Sequence, residues 1–304
     1  MSAWIIETDR LTKTVGGKTL VDGLNLTIGK GEVYGFLGPN GAGKTTTIRM
    51  LLGLIRPTRG KVRLFGQDLQ RNRAAVLRKV GSLVEYPSYY GHLTGYENLE
   101  AVRRLLDAPK SRIDEVLGVV RLTKDAGRPV KAYSLGMKQR LGIATALLGK
   151  PELLILDEPT NGLDPAGILE IRELVKSMAR DYGMTILVSS HLLSEVDQMA
   201  TRVGIIHKGK MIFQDSIQAL RDRSRGRISL TVDRTEEAWK ALLGSGIRAE
   251  AADGRLLVES LPDEKVAAIV RLLVRHDIAV YRVQEEKRSL EEHFLALTDG
   301  GDSL

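Results

Sequence analysis

Gly38-Pro39-Asn40-Gly41-Ala42-Gly43-Lys44-Thr45 puts three glycines, a lysine and a hydroxyl into eight residues. It lies between a stretch that reads as a strand, Glu32–Leu37, and one that reads as a helix. This is the phosphate-binding loop pattern in the context it requires. Glycines allow successive backbone N–H groups to converge on phosphate oxygens at the positive end of a helix. Lys44 adds a point charge for the β- and γ-phosphates, and the Thr45 hydroxyl can ligate Mg²⁺. Thr46, next along, is counted with the loop as part of the nucleotide-contacting set.

Three further segments carry candidate chemistry. Leu153-Leu154-Ile155-Leu156-Asp157-Glu158 ends an apolar run with two carboxylates. In a parallel α/β sheet the ligand crevice lies at the carboxyl ends of the strands. Asp157 would then hold Mg²⁺ and Glu158 would polarise an attacking water; as isolated residues, both would read equally well as a helix cap or a solvated turn. Ser134-Leu135-Gly136-Met137 opens a helix and offers a hydroxyl and a close backbone approach at its N-terminus, or a simple serine N-cap. His191 follows the apolar run Thr185–Val188 and two serines; alone it reads as a structural histidine.

The elements that must position these groups follow from periodicity. Short strands broken by glycine turns are expected over Trp4–Thr8 and Leu20–Ile28. Ile48, Leu51, Leu52 and Ile55 recur at i, i+3, i+4, i+7 and predict a helix that stops before Pro57. Residues 95–150 become helical, with apolar faces marked by Leu99, Val102 and Leu106, by Ile113, Val116, Leu117 and Val120, and by Leu141, Ala144, Leu147 and Leu148. The runs Leu153–Leu156 and Thr185–Val188 suit buried parallel strands. A helical insert, about 90–148, therefore sits inside an α/β domain, 1–220. A charged stretch, 221–227, reads as a linker. Beyond it, over 228–304, the order strand (Ile228–Val232), helix (Glu236–Leu243), two strands about Asp253-Gly254, helix (Asp263–Val274) and strand (Ile278–Val283) is the βαββαβ arrangement of a small ferredoxin-like α+β domain. A last helix is expected over Leu290–Leu297.

The chain has 304 residues, 43% hydrophobic and 27% charged, which excludes fibrous and disordered classes and allows about two domains. Zero cysteines remove disulfides, thiolate metal sites and cysteine nucleophiles. No apolar run approaches the ~18–20 residues that span a bilayer. The opening Met1-Ser2-Ala3-Trp4-Ile5-Ile6-Glu7 has no basic segment followed by an apolar core, so no secretory signal is expected. Residues 1–220 carry 31 Lys+Arg against 22 Asp+Glu, and 221–304 carry 14 against 16. A basic larger domain suits a polyanionic ligand or an acidic surface, and equally an ordinary solvated face.

Taken in this order, the motifs resemble the nucleotide-binding subunit of ABC transporters across residues 1–220, a P-loop NTPase fold. The resemblance makes Gly38–Thr45 the Walker A loop, Leu153–Asp157 Walker B, Glu158 the catalytic glutamate, Tyr133–Gln139 the signature, Asn161–Asp164 the D-loop and His191 the switch histidine. It implies ATP and Mg²⁺ as ligands and a head-to-tail dimer. There Ser134 and Gly136, flanked by Leu135 and Met137, would reach the γ-phosphate of ATP held by the partner, Asp164 would act across the interface, and His191 would contact γ-phosphate in cis. It also implies a separate membrane permease and a place at the cytoplasmic face of the membrane.

The sequence departs from the family pattern in three segments. Val15 stands where an adenine-stacking aromatic is usual, so strict preference for ATP is not implied. Leu135 and Met137 replace the usual glycine and glutamine of the signature. Glu85 replaces the Q-loop glutamine, where it would either join the Mg²⁺ shell or be a neutral replacement. Glu85 and the Tyr133–Arg140 segment are similar to the bacitracin-resistance and lantibiotic-immunity subgroup, which exports or expels peptide antibiotics. Ser289–Thr298 resembles the tail of related drug-exporter ATPases.

The competing reading is a soluble ABC ATPase on ribosomes or DNA. Against it, the chain has one set of nucleotide motifs, no long coiled-coil insert, and no basic patch interleaved with aromatics, so no nucleic-acid partner is expected. A nucleotide-binding regulator with little hydrolysis is a third reading, opposed by Glu158 and His191.

Overall fold

A computed structural model of the chain describes residues 4–84, 88–223, 227–252, 254–259 and 261–286. It divides into two compact units, Met1–Ile217 and Gln218–Leu304.

Six strands form the central sheet of the first unit, in the order Lys210–Ser216, Arg202–His207, Val33–Leu37, Thr185–Ser190, Leu153–Asp157, Val80–Leu83. All neighbours are parallel except the hairpin joining Arg202–His207 to Lys210–Ser216. Every residue of Val33–Leu37, Leu153–Asp157 and Thr185–Ser190 is buried, as expected where a parallel sheet is covered on both faces. The carboxyl ends of these three strands deliver Gly38, Glu158 and His191 to one edge of the sheet.

The antiparallel sheet is longer and more broken than periodicity suggests. The first strand runs through Trp4–Val15, and the expected Leu20–Ile28 strand is two, Lys18–Leu24 and Thr27–Gly29, both paired with it. Thr8 explains the break: its hydroxyl donates to the Leu24 carbonyl at 2.8 Å and accepts from the Leu26 N–H at 2.8 Å. The first helix, Lys44–Leu51, ends before Ile55, because Gly53 turns the chain into the left-handed region at φ +63°, a common helix stop.

Helices Gly95–Leu105, Ser111–Val119 and Leu135–Leu147 form the helical insert. Thr94 and Glu97 make a full capping box at its start. Pro165–Tyr182 packs alongside the central sheet, between the carboxylate strand and Thr185–Ser190 in the chain.

The second unit has strand Arg227–Val232, helix Thr235–Gly244, strands Ala249–Ala252 and Arg255–Glu259, helix Asp263–Arg275 and strand Val280–Glu286. Its sheet is wholly antiparallel, ordered Ala249–Ala252, Arg255–Glu259, Arg227–Val232, Val280–Glu286. Leu230, Leu242, Leu256 and Leu273 lie at the centre of its own core. The stretch expected as a linker begins inside a helix, Ile217–Arg223, in which Ile217 and Leu220 are buried at i, i+3 spacing. The expected helix Leu290–Leu297 and the Ser289–Thr298 tail lie outside the described residues. Among the described residues no helix is long and apolar enough to cross a membrane.

Candidate active site

The loop after Val33–Leu37 is glycine where a side chain would collide. A Cβ on Gly38 would overlap the Ile206 carbonyl, and one on Gly43 would lie 2.7 Å from the Leu20 carbonyl oxygen. Gly41 and Gly43 also have φ of +78° and +110°, where an L side chain is strained. The loop is pinned from behind by Gly209, whose N–H donates to the Ala42 carbonyl at 2.9 Å. The result is a run of backbone N–H groups leading into helix Lys44–Leu51, which has no side-chain cap and no acidic residue in its first turn. That arrangement leaves the donors of the first turn to an anion.

Lys44 is 4% exposed and folds back over the loop. Its Nζ donates to the carbonyls of Gly38 at 2.7 Å and Pro39 at 3.3 Å, and lies 3.1 Å from Glu158 Oε1. His191 Nδ1 sits 2.9 Å from the other oxygen, Glu158 Oε2. Burial pushes the Glu158 carboxyl up, but Lys44 and then His191 outweigh it and hold the group below its ordinary value. An ionised carboxylate only accepts, so His191 carries its proton on Nδ1 and, when neutral, presents Nε2 as an acceptor.

Glu158 itself is held at φ +48°, a conformation that side chains other than glycine seldom adopt and that often marks functional positions. Ser189 supports it: the Glu158 N–H donates to Ser189 Oγ at 2.9 Å, and Ser189 Oγ donates to Asp157 Oδ1 at 2.5 Å. Asp157 is thereby buried and oriented with its second oxygen uncommitted to that bond.

A cavity of about 480 Å³ opens on this cluster, lined by Lys18, Thr19, Leu20, Asn40, Gly41, Gly43, Lys44, Thr45, Thr46, Glu158 and Lys208. Of the expected residues it gathers Asn40, Gly41, Gly43, Lys44, Thr45, Thr46 and Glu158; Gly38, Pro39, Ala42 and Asp157 adjoin these in the chain without lining the cavity, and His191 reaches them through its contact with Glu158. The sequence reading missed Lys18, Thr19, Leu20 and Lys208 as lining residues. Lys208 arrives because its turn is tied both to the loop and, through the Asp22 N–H to Gly209 carbonyl bond of 2.9 Å, to strand Lys18–Leu24.

Other expected residues lie apart from that cavity. Ser134 caps helix Leu135–Leu147, its hydroxyl accepting from the Met137 N–H at 3.2 Å. Asp164 caps helix Pro165–Tyr182 by accepting from the Gly167 N–H at 2.9 Å. The two segments touch: Cβ positions on Gly162 and Gly136 would lie 3.3 Å from Leu135 and 3.9 Å from Leu163. Ser134, Leu135 and Asp164 are exposed, while Gly136 and Met137 are half-buried. Val15, exposed at the end of its strand, does not line the cavity. Glu85 lies outside the described residues.

The donors present fit a Mg²⁺–nucleotide. Among the described residues no three acidic or histidine side chains cluster as a metal cage, and Mg²⁺ bound with a nucleotide needs none, taking one or two protein oxygens plus phosphates and water. Thr45 and Asp157 would supply those oxygens.

An ABC transporter family model matches residues 21–161. The chain is 44% identical over 302 residues to the bacitracin transport ATP-binding protein BcrA of Bacillus licheniformis, covering 98% of each protein. The chain belongs to the ABC transporter family. Its ATP-binding domain is an ATPase module of a transporter. The lantibiotic transport ATP-binding protein SrtF of Streptococcus pyogenes is 46% identical over 210 residues, 69% of this chain and 90% of SrtF. Among solved structures, cbiO1 of Clostridium perfringens, part of the ABC transporter complex cbiONQ, superposes with a TM-score of 0.66 at 25% identity, covering 80% of this chain and 96% of cbiO1. Gly38–Thr45, the end of Leu153–Asp157 and the end of Thr185–Ser190 thus meet around Glu158, whereas the segments bearing Leu135 and Gly136 and bearing Gly162 and Leu163 meet each other apart from that cavity.

Proposed function

We propose that this chain hydrolyses ATP to ADP and phosphate to drive export of, or immunity to, peptide antibiotics of the bacitracin and lantibiotic type through a separate membrane permease. The observation that carries the chemistry is the convergence of Lys44, His191 and the phosphate loop on Glu158. The similarity to BcrA along nearly the whole chain supports the antibiotic class and the place at the cytoplasmic face of a membrane.

The phosphate loop and Lys44 bind and orient the triphosphate. As its γ-phosphate enters, it competes with Glu158 for the Lys44 ammonium and frees Oε1 to accept a proton from water. His191, fixed by Glu158 Oε2, accepts from the attacking water through Nε2 when neutral and, with both ring nitrogens protonated, donates through Nε2 to the γ-phosphate. Thr45 and Asp157 would hold Mg²⁺, which when bound would neutralise charge on the β- and γ-phosphates; Glu85 is grouped with them on sequence position alone. Ser134, Leu135, Gly136 and Met137 complete the site of a second, identical subunit, and Asp164 faces the same interface. The exposure of Ser134, Leu135 and Asp164, away from the chain's own cavity, supports a dimer. The second unit serves in regulating or stabilising that dimer.

The test is a tagged pull-down from detergent-solubilised membranes of the native host. A stoichiometric polytopic membrane protein, with bacitracin protection lost on Glu158→Gln, is the expected result. Recovery with ribosomes or DNA and no membrane partner would replace this reading with a soluble motor.

A further inference from the structure

Glu195 is a buried acid, 8% exposed, that does not line the nucleotide cavity. Its Oε2 accepts from two hydroxyls, Thr160 Oγ1 at 2.6 Å and Ser190 Oγ at 2.9 Å. Both donors are themselves buried. Thr160 lies two residues after Glu158, and Ser190 is the residue before His191. One carboxyl oxygen therefore ties together the two loops whose side chains meet in the Glu158–His191 contact. Ser190 Oγ also accepts from the Leu192 N–H at 3.0 Å, which fixes the chain on the far side of His191. On the other loop, the Asn161 N–H to Glu158 carbonyl bond at 3.1 Å and the Leu163 N–H to Thr160 carbonyl bond at 3.1 Å carry the constraint from Thr160 back to Glu158.

The element bearing Glu195 is anchored to the phosphate loop's own strand. Helix Leu193–Asp197 seats Val196, fully buried, against Gly35 in the middle of Val33–Leu37, so closely that a Cβ on Gly35 would overlap Val196. The Thr201 N–H then donates to the Val33 carbonyl at 2.8 Å. Glu195 thus stands on a support that is rigid with respect to Gly38–Lys44.

We propose that Glu195 is a positioning residue, holding the Glu158 loop and the His191 loop in register with the phosphate loop without touching nucleotide. The proposal rests on the catalytic reading of Glu158 and His191 given above. What it requires of Glu195 is an acceptor oxygen rather than a charge, since both partners are neutral hydroxyls. A displacement of about 1 Å at a reacting group can cost about a hundredfold in rate while leaving ground-state binding in place.

Steady-state ATP hydrolysis and fluorescent-nucleotide binding by the full chain test this. Glu195→Ala is expected to lower kcat by about 10- to 100-fold with KM for ATP within about twofold of wild type. Glu195→Gln, which keeps an acceptor oxygen, is expected to recover most of that loss. Thr160→Val with Ser190→Ala removes both donors and is expected to match Glu195→Ala, and adding Glu195→Ala to that pair to cost little more. Should Glu195→Ala fail to fold, the donor variants decide. Wild-type kcat in Glu195→Ala or in the donor pair, or equal losses in Glu195→Ala and Glu195→Gln, would overturn the positioning role. A wild-type chain that binds ATP but releases no phosphate would instead overturn the hydrolytic reading on which it rests.

Discussion

The Lys44 ammonium lies 3.1 Å from Glu158 Oε1, so the loop that receives phosphate and the carboxylate that would activate water are bound to each other. Glu158 titrates below its ordinary value because Lys44 and His191 outweigh the effect of burial. A depressed carboxyl contributes stability above its unfolded pKa, and that contribution disappears as pH falls through the folded value. Lys44→Met removes the main opposing charge. Without nucleotide, the variant is expected to unfold at lower urea than wild type near neutral pH, with the gap closing below the ordinary carboxyl value of 4.5. Urea melts at several pH values read this directly, and a gap that stays constant down to acid would disconnect Lys44 from the Glu158 titration.

Glu158→Gln keeps size and hydrogen-bonding shape but cannot accept a proton from water. General-base loss typically costs about 10²–10⁴ in rate. Phosphate release is expected to fall in that range, while binding of a fluorescent ATP analogue is retained or tightened, since Lys44 no longer faces a competing carboxylate. Phosphate release equal to wild type would remove Glu158 from the base role.

The sequence revealed the parts of this site that local constraints determine. Continuous apolar runs at Leu153–Leu156 and Thr185–Val188 identify strands because both faces of such strands are buried, and glycines at 38, 41 and 43 mark a backbone that side chains would block. What it hid depends on closure between distant segments. Lys208 reaches the cavity only because Gly209 packs against Ala42 and Leu20, and nothing near Lys208 in the chain announces this. Glu195 sits on a short helix, and nothing in its own stretch of sequence singles it out; its surroundings, Thr160 and Ser190, come from other segments. Helix ends were misplaced where one left-handed residue decides, as at Gly53.

Asp164 has a task within its own chain that the family resemblance did not suggest. Followed by Pro165, it is the N-cap of an 18-residue helix, a place where Asp and Asn serve about equally and Ala costs about 1 kcal/mol. Asp164→Asn is expected to leave the melting temperature near wild type, and Asp164→Ala to lower stability by about that amount. If the carboxylate also acts across a dimer, Asp164→Asn will still lose ATPase activity. Full activity in Asp164→Asn with a destabilised Asp164→Ala would confine the residue to capping.

Val15 is 55% exposed and stands at the end of strand Trp4–Val15, ahead of the Gly16-Gly17 turn. The nucleotide cavity instead has Lys18 and Lys208 on its lining, so affinity should come mainly from the phosphates and little from the base. An aromatic at position 15 adds a stacking surface, and base stacking on a side chain is worth about 1–3 kcal/mol, or about tenfold in affinity for each 1.4 kcal/mol. Val15→Tyr is therefore expected to tighten ATP and ADP by about tenfold and to leave inorganic tripolyphosphate unchanged. Lys208→Ala should weaken all three, more strongly at low salt, because its contribution is electrostatic. Titration calorimetry with the three ligands separates the two effects. An equal gain for tripolyphosphate in Val15→Tyr would show that position 15 changes the cavity as a whole, and unchanged ATP affinity would place the base away from Val15.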